Sequence, residues 1–230
     1  MFLLNKYRSQ MVLFLSLLLA TGCGEPPRTV TDETAAYWVL SKQGSVTVFL
    51  DGRSKHVKKI DQLPAEHFSI RSIQLVKKDN LQPAELKEIS GLKQLRNLNL
   101  SRTNVDHRAI LNLTNLPQLR ALDLSETNVS DAGLEAIGEF AKLKTLDLSK
   151  TKIDGSGLGG LDGCGKLTEL NLSGTDLRPD HLNMLKGFTN LIKLNVLNTY
   201  VNDQDIGDLK QALKYCEIIT KADPETAKKK

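Results

Sequence analysis

An α/β solenoid, in which strand–turn–helix coils stack on one parallel sheet, is the fold class that the sequence predicts, and three observations predict it. Leu95, Leu119, Leu143, Leu167 and Leu191 recur every 24 residues, and their neighbours recur with them. Each recurrence carries an alternating core such as Leu98, Asn99 and Leu100, which suits a short strand with one buried face. Apolar residues at spacing three then follow, as in Ile110, Leu113 and Leu116 or Leu134, Ile137 and Phe140. That spacing suits a short helix or tight helical turn behind the sheet. No such unit buries both of its faces alone, so the leucine ladder forms only against neighbouring coils.

In chain order, residues 1–22 read as an export signal. Lys6 and Arg8 precede an apolar run from Met11 to Ala20, which is followed by the small residues Thr21 and Gly22 and then Cys23. The run is about half the length of a bilayer-spanning helix, and Asn5, Lys6, Arg8, Ser9 and Gln10 separate it from the Phe2 to Leu4 patch. The segment Leu19 to Cys23 resembles the lipobox of bacterial lipoproteins, with Ala20 standing where Leu is favoured. The resemblance implies cleavage before Cys23 and its lipidation. Gly24 after the Cys implies outer-membrane sorting, as in enteric lipoproteins. Several acyl chains would hold far more firmly than the marginal grip of one. Residues 23–34, with GEPPRTVTDET from Gly24, are polar and Pro-rich and suit an extended spacer.

Residues 35–68 are expected to cap the first coil. Thr31 to Lys42 reads as a helix stopped at Gly44, and Val46 to Leu50, the Asp51 and Gly52 pair, and His56 to Ile60 read as a hairpin. Tyr37, Trp38 and Phe49 are the expected plugs of the apolar end.

The solenoid proper is expected over residues 69–220. Its full copies read LRNLNLSRTNV from Leu95, LRALDLSETNV from Leu119, LKTLDLSKTKI from Leu143, LTELNLSGTDL from Leu167 and LIKLNVLNTYV from Leu191. Ile70, Ile73 and Leu75 with Leu86, Ile89 and Leu92 form a first coil one residue longer than the period. A helix near Asp205 to Leu213 and a strand within Tyr215 to Thr220 end the stack, and residues 221–230 form a basic tail expected to be disordered. Thr103, Thr127, Thr151, Thr175 and Thr199 fall where each coil turns, and a hydroxyl buried there must bond backbone of its own or an adjacent coil. The motif LxxLxLxxTx[VIL] resembles the leucine-rich repeats of bacterial proteins, specifically 24-residue forms akin to the cysteine-containing class. The resemblance covers roughly residues 68–220. It implies a leucine-rich-repeat solenoid, with a parallel concave sheet, short helices on the convex side and an N-terminal helix-hairpin cap.

Several motifs reduce to this repeat. Gly155 to Gly160 satisfies GxGxxG, but Leu158 keeps the register of Ile110, Leu134, Leu182 and Ile206, so the segment reads as a repeat turn and not a nucleotide loop. Cys164 shares the apolar column of Leu92, Leu116, Phe140 and Phe188, and Cys216 lies two coils away, beyond disulfide reach. His56, His67, His107 and His181 sit in unrelated places beside no recurring acid, base or nucleophile. No catalytic residue, metal site or cofactor is expected.

What the register leaves free is the outward face of the strands. Asn99, Asp123, Asp147, Asn171 and Asn195 form one column, flanked by Arg96, Arg120 and Lys144 and by Asn97, Glu169 and Lys193. These eleven residues are the candidate partner-binding strip, about 25 to 30 Å long, enough for one protein-sized patch. The formal charge of +4 becomes about +2 once Lys6 and Arg8 are removed, a balance that by itself demands no acidic partner, nucleic acid or lipid headgroup. The expected function is that of a non-enzymatic, lipid-anchored binding or scaffold protein of the bacterial cell envelope, with a protein partner and no small-molecule substrate. An envelope polysaccharide is the alternative ligand, although an aromatic content of 5% leaves few side chains to stack on sugars or bases.

Overall fold

The structure is a computed structural model that describes residues 30–113 and 115–221. The signal segment, Cys23, most of the spacer and residues 222–230 of the basic tail lie outside the described residues. The described strands form one sheet in the order β2-β1-β3-β4-β5-β6-β7-β8-β9. They are β1 (Ser45–Leu50), β2 (Arg53–Val57), β3 (Ser69–Gln74), β4 (Asn97–Asn99), β5 (Ala121–Asp123), β6 (Thr145–Asp147), β7 (Glu169–Asn171), β8 (Lys193–Asn195) and β9 (Glu217–Ile219). From β3 onward every pairing is parallel.

The 24-residue spacing becomes the register of this sheet. Leu98, Leu122, Leu146, Leu170 and Leu194 pair in line, with Ile73 before them and Ile218 after. The five leucines are at most 1% exposed, and each contributes about 1.5–3 kcal/mol of burial free energy. The extra residue of the first coil lies between Lys77, 25 residues before Arg102, and Leu86, 24 before Ile110, while β3 itself is bulged against β1. Thr47 pairs with Ser72 and Val48 with Ile70, so Arg71 is the extra residue of a bulge. Ile70 and Ile73, three apart, thereby both reach the core.

Each strand ends in the same turn. Lys77, Arg102, Glu126, Lys150, Gly174 and Asn198 stand one per coil in the left-handed region, with φ between 53° and 68°. Two side chains hold the turn on either side of that residue. Asn99 Oδ1, Asp123 Oδ1, Asp147 Oδ1, Asn171 Oδ1 and Asn195 Oδ1 each accept the backbone N–H two residues on, at 2.8–3.1 Å. The threonine column does the rest. Thr103, Thr127, Thr151, Thr175 and Thr199 donate their hydroxyls to the carbonyls of Leu100, Leu124, Leu148, Leu172 and Val196 at 2.5–2.7 Å, so the partner lies in the same coil.

The convex side is built of short helical segments, among them Pro83–Ile89, Leu158–Leu161 and Pro179–Gly187, all 3₁₀. Apolar residues at spacing three fit a helix of three residues per turn, in which they eclipse along one edge. The other coils make short α-helices, His107–Ile110, Leu134–Gly138 and Gly207–Ala212, the first two at the same apolar spacing of three, so spacing alone does not select the helix type. The Gly-rich segment serves this packing. A Cβ on Gly138 would lie 2.1 Å from the Gly160 carbonyl oxygen, and one on Gly160 would lie 2.7 Å from the Glu135 nitrogen. Gly157 N–H and Gly155 N–H both donate to Asp131 Oδ1 of the preceding coil.

The cap is a helix, Asp32–Ser41, and the β1–β2 hairpin, which adds to β3 in antiparallel fashion. Thr31 is the N-cap and exchanges hydrogen bonds with Thr34 in a capping box. The left-handed residue that ends the helix is Gln43, with φ 58°, and not Gly44. Gly44 is needed for a different reason: a Cβ there would meet the Gln74 carbonyl oxygen at 2.7 Å and side chains of Leu75 and Val39 at 2.8 Å. The expected aromatic plugs are also corrected. Tyr37, Trp38 and Phe49 are half-buried, and the end of the stack is covered by Ala35, Ala36, Val39 and Leu40 with Val46, Val48 and Val57. Phe68 is the buried ring of this region, and Trp38 packs half-buried against the same core.

Candidate functional site

The register sets three outward columns on the sheet, and the predicted strip divides among them. Asn97, Glu169 and Lys193 lie in one strand column and are exposed, with Ser72, Ala121 and Thr145 between and beside them. Asn99, Asp123, Asp147, Asn171 and Asn195 lie in the next column and are half-buried, because each has one oxygen committed to its turn. Asp123 and Asp147 also accept from the hydroxyls of Ser125 and Ser149 at 2.7 and 2.6 Å, and Asn171 Nδ2 donates to Asp147 Oδ2 at 2.9 Å. This column therefore holds the turns together while presenting only part of each side chain outward.

Arg96, Arg120 and Lys144 immediately precede their strands and are joined through the backbone. Arg120 N–H donates to the Arg96 carbonyl and Lys144 N–H to the Arg120 carbonyl, each at 2.8 Å. The column begins one coil earlier than the repeats announce, since Arg96 N–H donates to the Arg71 carbonyl at 2.9 Å. Arg71 stands over the ring of Phe49, with Cζ 3.3 Å from the centroid. Phe49 is thus a residue of the outer face, not a plug. Arg71 stands 25 residues before Arg96, so the one-residue-longer first coil was the signal that could have extended the column, and the hairpin alternation of Val46 and Val48 the one that could have placed Phe49 outward.

Other charged groups are spent on structure. Asp106 Oδ1 accepts from the N–H groups of Arg108 and Ala109 at the start of the helix His107–Ile110, and its Oδ2 pairs with Arg108 at 2.6 Å. Partial burial pushes the Asp106 carboxyl up, but the Arg108 and backbone donors outweigh it and hold the pKa below the ordinary value. Glu126 pairs with Arg102 at 3.1 Å and with Lys150 at 3.4 Å across three successive turns. Cys164 is buried, donates to the Ile137 carbonyl at 3.3 Å, and has its pKa pushed up to about 11 by burial, which suits a packed thiol and not a nucleophile. His56 meets Thr47 and His67 meets Glu33 at separate places in the cap. Among the described residues no three His, Cys, Asp or Glu side chains gather to hold a metal, and no helix is long and apolar enough to cross a membrane.

A parallel sheet with one strand per 24 residues, one left-handed turn per coil and short helical segments behind it is a solenoid geometry. Residues 117–177 match the leucine rich repeat family. With the ladder extending the same geometry on both sides, the fold is a leucine-rich-repeat solenoid. The structure is similar to a leucine-rich-repeat protein of Leptospira interrogans, at 20% identity and a TM-score of 0.46, over 64% of this chain and 36% of that one. It is also similar to a pollen receptor kinase 3, at 19% identity and a TM-score of 0.44, over 68% of this chain and 74% of that one. No curated protein matches the sequence. Leucine-rich-repeat domains generally serve as scaffolds for protein–protein contact, and their extended sheet faces are the surfaces used.

Proposed function

We propose that this chain is a non-enzymatic scaffold that binds a protein partner on the concave sheet face, anchored by lipid on Cys23 in the bacterial cell envelope, at the outer membrane. One observation carries the binding surface: register dictates every inward position, while the outward strand columns carry exposed, mixed polar side chains that the fold does not require. Asn97, Arg120, Lys144, Glu169 and Lys193 are the exposed members of that surface. The anchor rests on the basic, apolar and small-residue layout of residues 1–22 and on the segment Leu19 to Cys23.

Two measurements test these parts separately. Cys23→Ser should move the protein from the detergent phase to the aqueous phase on phase partitioning and abolish palmitate labelling; unchanged partitioning removes the anchor. A photo-crosslinking residue at Asn97 should capture a protein in intact envelopes, whereas one at Glu139 on the convex side should not. Equal capture at both positions, or none at Asn97, removes the concave site.

A further inference from the structure

We infer that the N-terminal half of the concave face is a docking site for an acidic polypeptide segment, whose carboxylates are gripped by the column Arg71, Arg96, Arg120 and Lys144 with Phe49 at its end. This rests on the concave-face assignment above and names the chemistry of the partner.

The column is four basic residues on neighbouring coils, whose backbones lie about 4.8 Å apart at the spacing of parallel strands. Like charges stacked in one column repel unless something neutralises them, and the Arg96 charge acts on Arg71 in this sense. The turn column of the same coils shows how this protein neutralises a charge ladder from within: Arg102, Glu126 and Lys150 alternate in sign and pair across coils. The strand column contains no such alternation. Among the described residues none of its four members takes part in an ion pair. Two of its guanidinium groups also carry an unanswered donor, since Nε of Arg71 and Nε of Arg96 are buried and meet no hydrogen-bond partner. Burial first, and then the charge of Arg96, draws the Arg71 pKa below its ordinary value, which is the cost of a cation held without an anion.

Arginine forks match carboxylates and phosphates alike, so the neighbouring column decides between them. Asp123 and Asp147 stand three residues beyond Arg120 and Lys144 on the same strands. A polyphosphate or nucleic-acid backbone bears charge at every unit and would bring some of it against those two carboxylates. An acidic peptide carries its carboxylates on separate side chains and offers neutral backbone amides between them. It can place the former over the basic column and the latter over Asn97, Asn99, Asp123 and Asp147.

The test is fluorescence anisotropy of the purified protein with a fluorescein-labelled octapeptide of alternating Glu and Ala at low ionic strength. Arg120→Gln with Lys144→Gln, two exposed positions whose removal leaves the core untouched, should weaken binding about tenfold, and added salt should do the same to the parent protein. Arg102→Gln, which removes a cation from the neutralised turn column, should leave binding within about twofold. Absence of binding, equal weakening by Arg102→Gln, or displacement of the peptide by tripolyphosphate at lower concentration than by unlabelled peptide would each overturn the assignment. Failure here with protein capture at Asn97 intact removes the acidic partner alone, whereas absence of capture at Asn97 removes the concave-face assignment on which this inference rests.

Discussion

The two ends of the solenoid occupy the same register and are finished differently. Ile73 opens the ladder and Ile218 closes it. Ile73 is fully buried beneath the hairpin and the helix Asp32–Ser41, while Ile218 is half-buried on an edge strand beside the exposed Tyr215. Side-chain type is identical; what differs is the layer of chain outside it. The helical turns behind the two ends differ in the same sense. At the capped end Glu85 accepts the Gln82 N–H at 2.8 Å at the start of Pro83–Ile89 and pairs with Lys42, at the end of the cap helix. At the open end the helix Gly207–Ala212 has no side-chain cap. A solenoid has no single centre, so stability is a sum over coils and their interfaces, and an end coil keeps only one interface unless a cap supplies the second.

The largest expected effect tests that contrast directly. Ile73→Ala should cost about 2–5 kcal/mol, and Ile218→Ala less than about 1.5 kcal/mol, by equilibrium urea unfolding. Equal costs would mean that the cap contributes nothing to its end. Gly138→Ala probes the interior between the ends, where a Cβ would strike the Gly160 carbonyl oxygen at 2.1 Å; overpacking of about 1–3 kcal/mol should lower the unfolding midpoint. A variant as stable as the parent would show that the coils separate freely.

Asp106→Ala should cost about 0.5–2 kcal/mol through loss of the cap. Its effect should depend on pH with a definite sign. The folded-state pKa lies below the ordinary 3.8, so the carboxylate's contribution is present above that value and is lost as pH falls through the lower, folded-state value. In acid the parent and Asp106→Ala should converge; a gap that widens as pH falls would contradict the assignment. The smallest effect belongs to Tyr215→Ser, which should change stability by no more than about 0.5 kcal/mol because the side chain is 93% exposed. A larger loss would reveal that the open end is covered after all.

The candidate surface was legible in part. Spacing alone placed Asn97, Asn99, Arg120, Asp123, Lys144 and Asp147 on outward columns, since a 24-residue coil with one strand sends equivalent residues to equivalent places. It did not tell which columns are engaged. The Asn and Asp column bonds its own turns, a role set by the left-handed residue three positions later, and nothing in the letters Arg, Glu and Lys at those positions announces a positive φ. The strand column was seen from Arg96 onward and missed at Arg71, which stands 25 and not 24 residues before Arg96 because the first coil is longer.

The sequence by itself determined the period, the inward leucine ladder, the threonine-closed turns and the helical turns of spacing three, because each is a short-range pattern copied from coil to coil. Tertiary structure alone decided which residues seal the N-terminal end, why Gly44, Gly138 and Gly160 carry no side chain, and how Phe49 and Arg71 extend the basic column. Those features depend on distances between segments that do not repeat, and contact between unlike pieces of chain is set by three-dimensional packing, not by any local pattern.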